Sequence, residues 1–175
     1  MFKKIKHFRI LVPIVFILAF NSCTFESNRI VFSNDLENLF GWANTNSITD
    51  TVSHSGKYSC YVNSSSPYGF SYRAKFREIS NKKIIKARIS FYAYEEEAAS
   101  KGSMVFEIRS PKNEITFWQS VKVFELVKPK EWSIVTREFE LSTMNYQPDD
   151  ELLVYPWGEG NSSTFFDDYL IEFYW

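Results

Sequence analysis

The chain has 175 residues, of which 45% are hydrophobic, 18% aromatic and 23% charged. That is the length of one domain with a substantial core, and so many aromatic residues exclude a disordered chain. Twenty Lys and Arg against 21 Asp and Glu give a net charge of −1, but Lys3, Lys4, Lys6 and Arg9 all fall at the start. Without residues 1–22, 16 basic and 21 acidic groups remain, a net −5 that leaves no basic patch for nucleic acid.

Residues 1–22 read as an export signal. A cationic start is followed by an apolar run from Ile10 to Phe20, which is shorter than the roughly 20 residues a membrane-spanning helix needs and matches the apolar stretch of a signal peptide. Ordinary signal peptidase would require small residues at positions −3 and −1, and no register near Ala19–Ser22 satisfies it well. Leu18-Ala19-Phe20-Asn21-Ser22-Cys23 instead resembles a relaxed lipobox of the Bacteroidota type, with Ser22 small at −1 and Phe20 and Asn21 departing from the strict pattern. The resemblance implies cleavage before Cys23, lipidation of its thiol, a tether over residues 23–29 and attachment to a membrane. Thr24 at +2 is not the Asp that marks inner-membrane retention in enteric bacteria, so the outer membrane is the expected location. Cys60 then has no intramolecular partner, and it is expected to be a buried apolar thiol.

From residue 30 onwards the apolar residues follow a period of two. Strands are expected at Ile30–Ser33, Ser47–Ser53, Lys57–Asn63, Phe70–Phe76, Ile84–Tyr94, Met104–Arg109, Ile115–Glu125, Trp132–Leu141, Glu151–Trp157 and Phe165–Tyr174. Ile84–Tyr94 is the clearest, with Ile85, Ala87, Ile89, Phe91 and Ala93 on one side and Lys86, Arg88, Ser90, Tyr92 and Tyr94 on the other. Turn chemistry separates the runs at Asn34-Asp35, Ser55-Gly56, Pro67, Pro111, Pro148 and Gly158–Gly160. With no internal repeat or linker, about ten such strands predict one all-β domain over residues 30–175, a single antiparallel jelly-roll β-sandwich.

The order of landmarks carries a resemblance. Asn34-Asp35-Leu36-Glu37 precedes Gly41-Trp42; Ser55-Gly56-Lys57-Tyr58-Ser59 follows; then come Trp132 and finally Phe166-Asp167-Asp168-Tyr169. The series resembles the jelly-roll carbohydrate-binding modules and galactose-binding-like domains, and it covers nearly all of residues 30–175. It implies the β-sandwich and a structural calcium ion, which in this sequence would fall to Glu37 and to Asp167 or Asp168, with loop carbonyls around Ser55 and Lys57 completing the six to eight oxygens calcium takes. Side chains alternate along a strand, so adjacent Asp167 and Asp168 are expected to point to opposite faces. If Tyr169, Ile171 and Phe173 face the core, Asp167 shares their side.

Binding a sugar takes flat aromatic faces beside hydrogen-bonding side chains. The outward candidates are Trp118, Tyr155 and Trp157, then Tyr72, Tyr92 and Arg73, with Arg88, Arg109 and Gln119 as further polar partners. Each aromatic residue also has a plain reading as core or rim packing, and Trp42 and Trp132 are read as structural. Catalysis finds little support: His54 is the one histidine beyond the signal, no nucleophile elbow, zinc spacing or phosphate loop occurs, and Asp149-Asp150-Glu151 reads as a solvated turn. The reading is a lipid-anchored, non-catalytic carbohydrate-binding domain for a polysaccharide or envelope glycan. The alternative is a structural or interaction module that holds an outer-membrane protein partner.

Overall fold

The computed structural model describes residues 28–175. The export signal expected at residues 1–22 and the lipidation expected at Cys23 lie outside the described residues. The strands are β1 Arg29–Asn34, β2 Ile48–Thr49, β3 Ser59–Val62, β4 Tyr72–Lys75, β5 Lys86–Glu95, β6 Gly102–Arg109, β7 Ile115–Lys122, β8 Ser133–Glu140, β9 Glu151–Gly158 and β10 Thr164–Tyr174, with one α-helical turn, α1 Phe76–Ile79, and 3-10 turns at Thr45–Ser47 and Val123–Glu125. One sheet runs β2-β3-β10-β5-β8 with β1 also on β10, and the other runs β4-β9-β6-β7. Every pairing between strands is antiparallel. The result is the expected β-sandwich.

The alternation read from the sequence positions the core. Ala87, Ile89, Phe91 and Ala93 of β5 are buried, while the residues between them are partly exposed. Ile85 breaks the expectation: it lies just outside the strand at the sheet's end and is exposed, and Ile84 takes the core position instead. From the facing sheet come Met104, Phe106 and Ile108, and the Phe106 ring stacks on Phe139 of β8 at 4.4 Å between centroids. Trp42 stacks on Phe70 at 5.3 Å and borders Tyr72 and Tyr169, so it closes one side of the core. Cys60 is fully buried; its sulfur accepts the Phe70 N–H at 3.1 Å, and burial pushes the thiol pKa up, which keeps it protonated.

Strand β10 is the exception to simple alternation. β5 lies along its length on one side, while its other side is shared: β3 pairs Thr164–Phe166 and β1 pairs Tyr169–Tyr174. The register slips between Asp167 and Leu170, and Asp168 adopts a left-handed conformation with φ 48°. This extra residue is a β-bulge. It corrects the expectation for the two aspartates. Asp167 stands opposite Tyr92, an outward position of β5, and so not on the side of Tyr169 and Ile171. It is buried all the same, because the loop around His54 lies over it.

The Phe106–Phe139 stack joins the two sheets at a site with no access to water. Replacing Phe106 with Ala should cost about 3–5 kcal/mol. Urea unfolding of the variant, followed by tryptophan fluorescence, checks this.

Candidate functional site: the outer face of the four-stranded sheet

Strand pairing sets side chains from four strands side by side. In one row across the outer face, Arg73 of β4 is opposite Leu153 of β9, Leu153 is opposite Glu107 of β6, and Glu107 is opposite Trp118 of β7. In the next row Tyr155 is opposite Val105, and beyond it Trp157 is opposite Ser103. Tyr68 reaches the same face from outside the sheet through a bridge to Trp157.

The aromatic rings form one group. Trp118 and Trp157 meet edge to face at 6.2 Å, and Tyr68 lies 6.0 Å from Tyr155. Trp118 is 45% exposed and Tyr68 57%, so both present ring surface to solvent, while Tyr155 and Trp157 are partly covered.

Beneath and beside the rings are two ion pairs. Glu107 is 1% exposed, and its carboxylate accepts the Tyr155 hydroxyl at 2.7 Å and the Arg109 guanidinium. Arg109 also donates to the Asn113 side chain at 2.9 Å. Burial, and then the Glu107 carboxylate, pushes the Tyr155 phenol above its ordinary pKa, so it stays a hydrogen-bond donor. Hydrogen bonding to Glu107 likewise holds Arg109 charged. Arg73 donates twice to Glu151, at 2.5 and 2.6 Å, a fork that fixes both side chains. Next to this pair is a cavity of about 490 Å³ lined by Arg73, Lys75, Ser110, Asn113, Asp149 and Glu151. The arrangement supplies what a saccharide surface requires, namely apolar ring faces beside fixed donors and acceptors.

Of the residues proposed from the sequence, Trp118, Tyr155, Trp157 and Arg73 come together here. Tyr72 does not. It is 5% exposed, on the inner side of β4, with its ring 5.1 Å from Phe32 and 5.5 Å from Trp42. The outward position expected of Tyr72 is corrected because its neighbour Arg73 takes that side. Tyr92 is on the outer face of the other sheet, where the His54 ring stacks on it at 3.4 Å. Arg88 is on that sheet too, paired with Glu138, and Gln119 stands opposite Phe106 on the inward side of β7.

Two members of the site were not singled out. Glu107 interrupts the apolar run Met104–Ile108, and a lone acid amid such residues is the signal that could have shown it. Tyr68 follows a turn proline, and no periodicity marks it.

The carboxylates expected at a calcium site lie elsewhere. Glu37 sits in the loop after β1, and Asp167 and Asp168 are at the β10 bulge. Contrary to the expectation of opposite faces, both aspartates contact one loop: Asp167 accepts backbone N–H groups of His54 and Ser55, and Asp168 accepts the Ser55 hydroxyl at 2.8 Å and meets His54 Nδ1 at 2.6 Å. The bulge is the reason, since it removes the half-turn that separates neighbouring side chains. The acidic turn is also tied up. Asp149 pairs with Arg77 at 2.6 Å, Asp150 accepts the Gln147 N–H at 2.8 Å, and Glu151 holds Arg73.

No protein-family model matches the chain, and no curated protein matches it in sequence. Solved structures do share its fold. The xylan-binding domain CBM22-2 of Xyn10C from Paenibacillus barcinonensis superposes with a TM-score of 0.51 at 16% identity, over 80% of this chain and 97% of that one. The tandem CBM22-1-CBM22-2 domain of the same protein gives 0.52 at 14% identity, over 83% of this chain and 45% of that one. A Clostridium thermocellum Xyn10B structure comprising CBM22-1 and GH10 modules, complexed with xylohexaose, gives 0.50 at 12% identity, over 80% and 28%. The fold is thus the β-sandwich of carbohydrate-binding modules.

Glu107 leaves two partners unsatisfied if it is removed. Glu107→Ala should destabilise the domain by about 2–3 kcal/mol, whereas Glu107→Gln, which keeps an acceptor for Tyr155, should cost less. Paired urea-unfolding curves measure the difference.

Proposed function

We propose that this protein is a lipid-anchored, non-catalytic carbohydrate-binding protein that holds a polysaccharide or envelope glycan on the outer face of its four-stranded sheet. One observation carries the reading. Trp118, Trp157, Tyr155 and Tyr68 gather on a single face together with the fixed pairs Glu107–Arg109 and Arg73–Glu151. Ring faces would stack on the apolar C–H surfaces of sugar rings, while the Arg73 and Arg109 guanidinium groups and the partly exposed Glu151 carboxylate hydrogen-bond hydroxyls. The fold shared with xylan-binding domains supports the choice of ligand class, and xylan is the first glycan to try. The reading as a binder is supported by the engagement of the Asp149-Asp150-Glu151 carboxylates, which are held by Arg77, the Gln147 N–H and Arg73 respectively.

The anchor is read from Ser22-Cys23 and from the polar segment before β1. Lipidation at Cys23 would hold the domain on the outer membrane, where a bound glycan stays close to the cell.

Two experiments test these readings. Trp118→Ala and Trp157→Ala should each weaken binding to a responsive polysaccharide roughly tenfold or more, with unchanged melting temperature, while Tyr92→Ala leaves binding intact. Affinity electrophoresis against a polysaccharide panel reads this out. Absence of binding to the whole panel would transfer the function to a protein partner. Cys23→Ser should move the protein from the membrane pellet to the soluble fraction and abolish labelling by a radioactive fatty acid.

A further inference from the structure

The resemblance to carbohydrate-binding modules implied a calcium ion at Glu37 and Asp167 or Asp168, yet the groups around these carboxylates are hydrogen-bond donors, Asp168 being taken up by the Ser55 hydroxyl and the His54 ring. Glu37 Oε1 accepts the backbone N–H of Lys57 at 2.7 Å and of Tyr58 at 2.8 Å. Asp167 Oδ2 accepts the backbone N–H of His54 at 2.7 Å and of Ser55 at 3.2 Å, and its Oδ1 accepts the N–H of Asp168 at 2.8 Å. The loop between β2 and β3 thus turns its amide hydrogens towards the carboxylates, whereas a calcium site would need its carbonyl oxygens turned that way. Each N–H carries partial positive charge and occupies one acceptor site of its carboxylate.

The geometry of the loop supports this arrangement. Gly56 has φ 53° and separates the two pairs of donors, so that residues 54 and 55 serve Asp167 while 57 and 58 serve Glu37. A Cβ at Gly56 would lie 2.4 Å from Glu37 Oε1. The glycine therefore supplies both the left-handed turn and the space for the carboxylate. Glu37 and Asp167 address different halves of the loop. Among the described residues, no group of three or more His, Cys, Asp or Glu is placed to hold a metal ion.

We propose that in this protein two backbone-to-carboxylate clamps, Glu37 on residues 57 and 58 and Asp167 on residues 54 and 55, take the place of a structural calcium ion. The loop around Gly56 is an anion-binding concavity whose anions are the chain's own side chains. Through it the segment after β1 and the bulge of β10 are fastened to one loop, without a divalent cation. This inference is independent of which ligand the domain binds.

The test compares thermal unfolding of the purified full chain in EDTA and in millimolar calcium chloride, with calorimetric titration of calcium. The expected result is a melting temperature that agrees within about 1 °C between the two conditions, and no binding heat. A ligand that binds only the folded state raises the melting temperature by mass action, so a calcium-induced rise of roughly 5 °C or more, or a saturable titration, overturns the proposal. Glu37→Gln and Asp167→Asn should each lower the melting temperature equally in both conditions. A loss confined to the calcium condition would also overturn it. If either variant fails to fold, the unsubstituted protein still decides, because its two melting curves and its titration need no mutation.

Discussion

Strand β10 has two edges and three neighbours. β5 takes one edge whole, and β3 and β1 must divide the other, so the ladder breaks where one partner stops and the next begins. A break in the middle of a sheet leaves backbone groups that need partners away from water. The bulge at Asp167-Asp168 answers this by turning two carboxylates towards the loop from Ser53 to Tyr58. That loop leads directly into β3, and the Glu37 contact ties it also to the segment leaving β1. The three strands that meet at this point therefore hold one another in register. Hydrogen bonds from one short loop bridge the break between β3 and β1 in the larger sheet.

The opposite sheet is organised around a different constraint. β6 lies between β9 and β7, and its outer side chains are covered almost as well as its inner ones. A charged residue in such a place must be compensated, and Glu107 is, by Arg109 two residues along its own strand and by Tyr155 across the ladder. The same contacts that satisfy Glu107 fix the Tyr155 ring and hold the Arg109 guanidinium at the surface. A site assembled on strands, with its polar side chains locked to one another, loses little freedom when a ligand arrives. Placing the aromatic residues on β7, β9 and the segment before β4 spreads them over a broad face. A pocket would have confined them to a point.

Much of this architecture was legible in the sequence because a period of two is a direct record of which side chains face the core. Each of the ten expected strands appears, although the one expected at Ser47–Ser53 keeps only Ile48–Thr49 and the one expected at Ile115–Glu125 turns into a 3-10 helix at Val123; the sharing of one face by Tyr155 and Trp157 follows from their spacing alone. What escaped was set by events outside any one strand. Tyr72 and Arg73 are both plausible on a binding surface, and only the pairing of β4 with β9 decides which of them points outward. The aspartates were assigned to opposite faces on the rule for a regular strand, and a bulge, which depends on where β3 ends and β1 begins, suspends the rule. Alternation with Phe106 and Ile108 puts Glu107 on the outward side of β6, but its burial there depends on the strands paired on either side, one of them, β9, more than forty residues away.

β1 enters the sheet at Arg29, directly opposite Tyr174 near the end of the chain, and runs antiparallel to β10 for six residues. A chain held at its start and gripping a ligand on the far sheet would feel tension through this strand. Pulled along its axis, β1 loads its backbone hydrogen bonds to β10 together, in shear, and they fail only as a group. Pulled sideways, the same bonds would open one at a time, like a zip. The direction in which the strand leaves the domain therefore sets how much mechanical force the fold withstands.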